Sequence, residues 1–269
     1  MEPGNAYIIT GGIEGKKRLD ILANVLHNYT KPLLQLNGLA TGSSFLDVGC
    51  GGGNVTLMAA GLVGKTGAVT GIDFDEEIIK LDEVDTSGKG FNHINYFAQS
   101  AYNLTYKNEF DVVYSRFLLS HLTRPGVVLN NMLQAAKTGG KIIVEDIDFS
   151  GHFCFPASAA FEQYVNLFTA TAQKRGHNAN IGPSLFNLFK DAGIKSINFD
   201  IIQPAFNQGD GKRMAIITMD KIKQAVITEG LATTETVDRI ISELEIFTNN
   251  MQSVISLPRI FRVWGVKGS

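Results

Sequence analysis

The chain has 269 residues but only two cysteines, Cys50 and Cys154, which lie far apart and form no C-x-x-C pair. That excludes a disulfide framework and a cysteine-based zinc cluster, and it suits a reducing compartment. Neither sign of charge is in excess: 24 Lys and Arg against 26 Asp and Glu give a formal net charge of −2. Such a balance offers no global attraction to nucleic acid or to an acidic membrane. No apolar run approaches the ~20 residues that span a bilayer, and Met1 to Arg18 carries no long apolar stretch behind a basic segment. The expectation is a soluble cytoplasmic protein with no membrane and no nucleic-acid partner. At 44% hydrophobic and 19% charged residues, disorder is excluded as a description of the whole chain, and no fixed-period repeat or biased linker interrupts it.

Glycine, by contrast, is abundant: 28 of 269 residues, above the ~7% average. Short apolar runs at Phe45 to Val48, Ala68 to Ile72, Ile94 to Phe97, Phe110 to Tyr114 and Lys141 to Val144 alternate with segments of helical spacing. Nearly continuous apolar strands alternating with helices predict an α/β fold, a doubly wound, mainly parallel sheet covered on both faces. Upstream, Leu19, Leu22, Val25 and Leu26 mark an amphipathic N-terminal cap helix that should stop before Pro32. Downstream, Ala157 to Lys174 reads as a helix outside the minimal alternation, Ser184 to Ala192 as a helix closed by Gly193, Ile194 to Ile202 as a sixth strand and Arg259 to Val266 as the last. Gln203 to Ser256 reads as helical, broken at Gly230, with Thr233 capping the segment from Glu235 to Asn250. The resulting division is a single domain over 1–269, with a helical cap at 1–40, a lid insertion at 151–183 and a helical insertion at 203–256.

The most specific signal is Phe45-Leu46-Asp47-Val48-Gly49-Cys50-Gly51-Gly52-Gly53-Asn54, a buried strand running into a helix as D-x-G-x-G-x-G. Glycines at such a turn allow positive φ and let a ligand lie against the backbone, facing the free N–H groups of the new helix. The next strand ends in Ile72-Asp73-Phe74-Asp75, which brings a carboxylate to the neighbouring strand tip, where it can accept from two ribose hydroxyls. A nucleoside-containing cofactor follows. The dinucleotide fingerprint G-x-G-x-x-G needs a glycine where Asn54 stands, which weakens a nicotinamide oxidoreductase reading.

These motifs resemble those of the class I S-adenosylmethionine-dependent methyltransferases, and the resemblance covers most of the chain. It implies a seven-stranded, Rossmann-like methyltransferase fold with the last strand antiparallel, and S-adenosyl-L-methionine as cofactor. It also implies that Asp47, Gly49 and Gly51 hold the methionine half of the cofactor, that Asp73 binds the ribose and that Phe74 walls the adenine. Gln99-Ser100-Ala101 stands where the family often has Gly-Asp-Ala, so Ser100 and Ala101 are the implied readers of the adenine edge. Tyr114-Ser115-Arg116-Phe117 to His121-Leu122 is similar to the fourth-strand motif of the small-molecule branch, which points Ser115 and Arg116 toward cofactor and substrate. Asn-Pro-Pro-Tyr is absent there, against an amino-directed adenine or glutamine methyltransferase. Gly176-His177-Asn178, Ile181-Gly182-Pro183 and Leu257-Pro258-Arg259 with Val263-Trp264-Gly265 resemble bacterial small-molecule methyltransferases.

The acceptor is then expected to be a small molecule, methylated on O, N or C. An RNA or protein acceptor, and a module that binds the cofactor without chemistry, are the alternatives. His121, shortly after the fourth strand, is the candidate catalytic base, with His152 in reserve; a structural histidine in the loop is the competing reading. Proximity can supply most of the rate of methyl transfer, so a base is not obligatory. Glu145, Asp146 and Asp148 follow the fifth strand; they are expected to be solvated or capping acids, with no metal and with activity that survives EDTA. A solvated Lys16-Lys17-Arg18 face is the plainer reading of those charges; the alternative is that Arg18, with Tyr7 and the Gly11-Gly12 turn, closes over the cofactor carboxylate as a cofactor-binding residue. Phe153, Phe155, Phe161, Tyr164 and Phe168 suggest an apolar pocket beside the site. A homo-oligomer is left open, with an apolar face on the 203–256 insertion as the candidate contact.

Overall fold

The computed structural model describes Ile9 and residues 12–268. In chain order the first half runs α1 (Gly12–Leu36), β1 (Ser44–Val48), α2 (Asn54–Val63), β2 (Ala68–Asp73), α3 (Glu76–Ser87), β3 (Ile94–Ala98), β4 (Phe110–Arg116), α4 (Pro125–Ala135) and β5 (Ala136–Asp148). There follow β6 (Cys154–Phe155), α5 (Ala159–Lys174), α6 (Leu185–Asp191), β7 (Lys195–Ile202), β8 (Ala205–Phe206), α7 (Met214–Thr228), α8 (Thr234–Asn249), β9 (Val254–Ser256) and β10 (Arg259–Val266). Seven strands form one sheet in the order β3-β2-β1-β4-β5-β10-β7. Strands β1 to β5 pair in parallel, and β10 runs antiparallel between β5 and β7.

Strand alternation explains why both faces are covered. Leu46, Val48, Val113, Ile142 and Val144 point to one side, where they meet Val128, Leu129 and Met132 of α4 and Leu185 and Phe189 of α6. Their neighbours Phe45, Val112, Tyr114 and Ile143 point to the other side, against α1 and α2. Because the chain passes from β3 at one edge to β4 on the far side of β1, a crevice opens at the C-terminal tips of β1 and β4, where doubly wound sheets bind ligands.

Helix α1 does not stop before Pro32; the proline lies inside it. An internal proline costs ~3 kcal/mol, but Leu33 and Leu34 are 2% and 0% exposed and join Phe45, Val55 and Ala59 in one cluster. Burying two leucines contributes roughly 1.5–3 kcal/mol each, so tertiary packing outweighs the local break. The fifth strand is also longer than its apolar run, reaching Asp148, and the acids expected to be solvated are buried in it: Glu145, Asp146 and Asp148. Each has partners. Glu145 accepts from Thr30 at 3.0 Å, Asp146 from the Ser120 amide at 3.1 Å, and Asp148 pairs with Arg259 at 2.7 Å.

Helices α5, α7 and α8 pack together through Phe161, Tyr164, Phe168, Met219, Ile222 and Ile240, with Ile147 and Phe149 from the end of β5 beneath them. Caps expected from the sequence are present at Thr233, which accepts from the Thr236 amide at 3.3 Å. The segment 203–256 is not helical throughout: β8 and β9 join β6 in a three-stranded antiparallel sheet that ties the two insertions together. Strands of two or three residues are too short to show a period, and only their pairing across the chain defines them.

Candidate active site

The turn after β1 is stitched to the tip of β2. The Gly49 and Cys50 amides both donate to the Ile72 carbonyl, at 2.8 and 2.9 Å, and the Gly51 amide donates to Asp73 Oδ2 at 3.0 Å. Gly51 has φ 52°, in the left-handed region, and a Cβ there would stand 3.0 Å from the Leu19 side chain of α1. Glycine is therefore required twice over, by backbone conformation and by the close approach of the helix. Asp73 also accepts from the Asp75 amide at 3.1 Å, while Asp75 caps α3 by accepting from Glu77 and Ile78. Both oxygens of Asp73 are oriented by backbone donors, and each retains a second lone pair for a ligand. Burial is the main reason the Asp73 carboxyl is pushed up from its usual value, against the backbone bonds.

Above this turn lies a cavity of about 560 Å³. Asp47, Gly49, Gly51, Asp73, Phe74, Ser100 and Ala101 all line it, as do Arg18, Arg116 and His121. Phe74 is 62% exposed at its rim, an open aromatic face of the kind that stacks on a flat ring. Asp47 is buried and accepts from the Thr56 hydroxyl at 2.7 Å; burial pushes it up to about 6, the Thr56 bond and the charge of Arg116 acting against that shift. Ser100 lines the cavity while its hydroxyl accepts from the Tyr102 amide at 3.3 Å. Cys50 is buried, and burial raises its thiol far above the usual value, in keeping with a small residue filling the turn.

One expected site residue, Ser115, is not placed there, and another is not described. Tyr7 lies outside the described residues. Ser115 is fully buried and does not line the cavity, because only its neighbour Arg116, the last residue of β4, leaves the sheet toward it. Of the five aromatics read as a pocket, only Tyr164 and Phe168 line the cavity; they are four residues apart on α5 and share a face. Phe161 is in the core, and Phe153 and Phe155 are exposed.

The two arginines divide the cavity. Arg116 donates to the Thr30 hydroxyl at 3.3 Å, lies 5.7 Å from the Phe117 ring centroid and acts electrostatically on Asp47. Arg18, expected at the cofactor carboxylate, lines the cavity and donates from Nε to Thr218 Oγ1 of α7 at 3.3 Å; its charge acts on His121 and Tyr164. His121 sits on a short 3₁₀ turn, with its ring 6.2 Å from that of His177. Burial first, then His177 and Arg18, hold it down to about 3, so it is neutral at physiological pH and a weak base rather than one poised near neutrality. His152 also lines the cavity; its Nδ1 lies 3.0 Å from the Phe149 carbonyl and must carry the proton, leaving Nε2 as an acceptor.

Sequence reasoning missed Leu19 and Asn54 at the glycine end, and Phe117, Met214, Thr218 and Ile260 elsewhere in the lining. Asn54 carried a signal, since it begins α2 beside the glycines, and it donates to Asp20 of α1 at 2.9 Å. Phe117 lay within the fourth-strand motif but was given no role; it is a non-glycine residue at φ 55°, whose amide donates to the Glu145 carbonyl at 2.9 Å. Among the described residues no group of histidines, cysteines or acids is arranged to hold a metal, and no helix is long and apolar enough to cross a membrane.

A family model described as a methyltransferase domain matches residues 39–197, more than half of the chain. The chain belongs to this methyltransferase family. It is similar to a demethylmenaquinone methyltransferase of Anoxybacillus flavithermus, 32% identical over 116 residues, which are 43% of this chain and 49% of that protein. A ubiquinone biosynthesis O-methyltransferase of Hydrogenovibrio crunogenus is 32% identical over 157 residues, 56% of this chain and 61% of the other. The chain thus spans about half the length of the curated relatives it matches first, 49% and 52%. Among solved structures, the phosphoethanolamine N-methyltransferase 2 of Haemonchus contortus in complex with S-adenosylhomocysteine has a TM-score of 0.57, covering 94% of this chain and 58% of that one at 16% identity. That likeness concerns the fold, which is the Rossmann-like methyltransferase fold. The matched methyltransferase domain holds the glycine turn and Asp73, whereas Met214, Thr218 and Ile260 come from sequence beyond it.

Proposed function

We propose that this chain transfers a methyl group from S-adenosylmethionine to a small-molecule acceptor. The observation that carries the reading is the Gly51 amide held at 3.0 Å by Asp73, in a cavity that runs on, past Arg116 and His121, to an apolar end. The residues present fit the cofactor: a backbone wall at Gly49 and Gly51, an acid with free lone pairs, and an open aromatic face at Phe74. Asp73 would accept from the ribose, Phe74 would stack on the adenine beside Ser100 and Ala101, and Arg116 with Asp47 would hold the amino-acid end. When bound, S-adenosylmethionine supplies an electrophilic methyl group on a good leaving group. The chain's own part is to align the acceptor and exclude water, the terms that dominate a direct displacement.

His121, held neutral by burial, would serve as a polar wall that hydrogen-bonds the acceptor. The names of the curated relatives, with quinone-biosynthesis O-methyltransferase and demethylmenaquinone methyltransferase among them, support a small-molecule acceptor over RNA or a protein side chain, as does the net charge of −2. The test is a thermal-shift titration with S-adenosylmethionine, S-adenosylhomocysteine, NAD and NADP. A dose-dependent rise with the two sulfur nucleosides alone is expected, followed by acceptor-dependent release of S-adenosylhomocysteine. A rise with NAD or NADP alone would show that the glycine turn serves a different cofactor.

A further inference from the structure

Phe149, Tyr164 and Phe168 line the aromatic end of the cavity but are only 2–3% exposed. His152 lines the same end and is half-buried, so it, more than the rings behind it, is what a ligand meets. Its ring lies 4.3 Å from Phe149, 5.8 Å from Phe161 and 6.0 Å from Tyr164, each met edge-on. Rings on three sides fix the plane of the imidazole. Its tautomer is fixed too. A carbonyl only accepts, so Nδ1, 3.0 Å from the Phe149 carbonyl, carries the hydrogen. Burial, against that bond and the charge of Asp148, holds the imidazole down to about 4, so at neutral pH Nε2 keeps its lone pair. Among the described residues no donor meets Nε2.

The backbone carrying His152 is anchored on both sides. The Gly151 carbonyl accepts from Gln203 Nε2 at 2.6 Å, and the His152 amide donates to the Phe149 carbonyl at 3.2 Å. The Phe153 amide donates to Ser256 Oγ at 2.8 Å, while its carbonyl accepts from the Ser256 amide at 2.9 Å. Gln203 leads into β8 and Ser256 ends β9, so the small sheet built from the two insertions holds this residue against the cavity. A side chain so constrained cannot swing to another partner; a ligand that fills this end must bring a donor to Nε2 or leave it desolvated and unpaired. The Tyr164 hydroxyl, with Thr218 as its polar neighbour, belongs to the same lining and can donate in return. An ether or carbonyl oxygen only accepts and an ammonium only donates, whereas a hydroxyl does both.

On the reading that this cavity binds S-adenosylmethionine, we propose that His152 is the specificity-determining residue for the acceptor: Nε2 accepts a hydrogen bond from a hydroxyl on a small apolar ring, and that oxygen accepts in turn from Tyr164. A molecule of the same shape whose hydroxyl is capped as a methyl ether brings no proton to Nε2 and is rejected, because a site built to pair a hydroxyl discriminates against the analogue that lacks it.

The experiment uses the purified chain saturated with S-adenosylhomocysteine, and two flat probes that differ only in that proton, 2-naphthol and 2-methoxynaphthalene. A thermal shift with S-adenosylhomocysteine is measured first; its absence in the wild type would overturn the cofactor reading and this proposal with it. With that shift present, calorimetric titration is expected to show 2-naphthol bound about tenfold more tightly than its ether. His152→Phe should keep the thermal shift and bind the two probes equally. His152→Gln, whose amide oxygen can stand near the place of Nε2, should recover part of the preference. Binding of neither probe, equal binding of both by the wild type, a preference that persists in His152→Phe, a His152→Gln variant no different from it, or loss of the thermal shift in both variants would each overturn the proposal and leave the cofactor reading intact.

Discussion

Thr30 of α1 donates its hydroxyl to the buried carboxylate of Glu145 at 3.0 Å, and the same hydroxyl accepts from Arg116 at 3.3 Å. One side chain therefore ties the N-terminal helix to the fifth strand and aims an arginine into the cavity. Glu145 is raised by burial and opposed by Arg116 first and Thr30 next, so its ionised form depends on both. Replacing Thr30 by Val leaves a buried carboxylate short of a donor, at a cost of about 1–3 kcal/mol. Urea unfolding should show that loss, with Thr30→Ser close to wild type, and S-adenosylhomocysteine affinity should fall with it as Arg116 loses its orientation.

Asp73 should be the most sensitive residue for the cofactor. Asp73→Ala removes charge-assisted hydrogen bonds worth ~1.5–3 kcal/mol each at most and frees the Gly51 amide it holds. Calorimetric titration should show at least a tenfold loss in S-adenosylhomocysteine affinity. An unchanged affinity would rule out the ribose role.

Gly51→Ala places a Cβ at φ 52° and 3.0 Å from Leu19. The left-handed conformation alone costs an L-residue roughly 1–2 kcal/mol. The thermal midpoint is expected to fall, and cofactor affinity with it. Gly90, at φ 75° with no atom within reach of a Cβ, is the control: its alanine variant should lose stability comparably and bind normally.

Asp47 makes the unliganded fold more stable in mild acid. Its folded value, about 6, lies above the ordinary 3.8, so between these values the folded state binds the proton that the unfolded state does not. The unfolding free energy then rises as pH falls through 6 toward about 4, by up to about 2–3 kcal/mol for this group. Asp47→Asn should be the more stable protein at pH 7 and should flatten that part of the profile, as urea titrations across the window would show.

His121, held down to about 3, should contribute no titration near neutral pH. The rate of S-adenosylhomocysteine formation should show no limb from it between about pH 5 and 8, and His121→Asn should retain activity within about tenfold. A limb near the usual histidine value that vanishes in His121→Asn would restore the residue as a base. Chelation with EDTA should leave activity unchanged.

The α/β alternation, the last strand from Arg259 to Val266, the cap at Thr233 and the glycine turn with Asp73 were all legible from the amino-acid order. They rest on physics that acts over a few residues: apolar runs that must be buried, a hydroxyl one turn from an orphan amide, and glycines where φ must be positive. What the sequence left open was settled by contacts between distant segments. Pro32 continues its helix because Leu33 and Leu34 are buried beside Phe45. Glu145 is buried because Thr30, 115 residues away, reaches it. Arg18 reaches α7 because Thr218, 200 residues on, accepts its Nε–H. Local preference determined which elements form and where the backbone can meet a ligand; which way each charged side chain faces was decided by tertiary packing, because a charge takes its direction from partners that only the folded chain brings near.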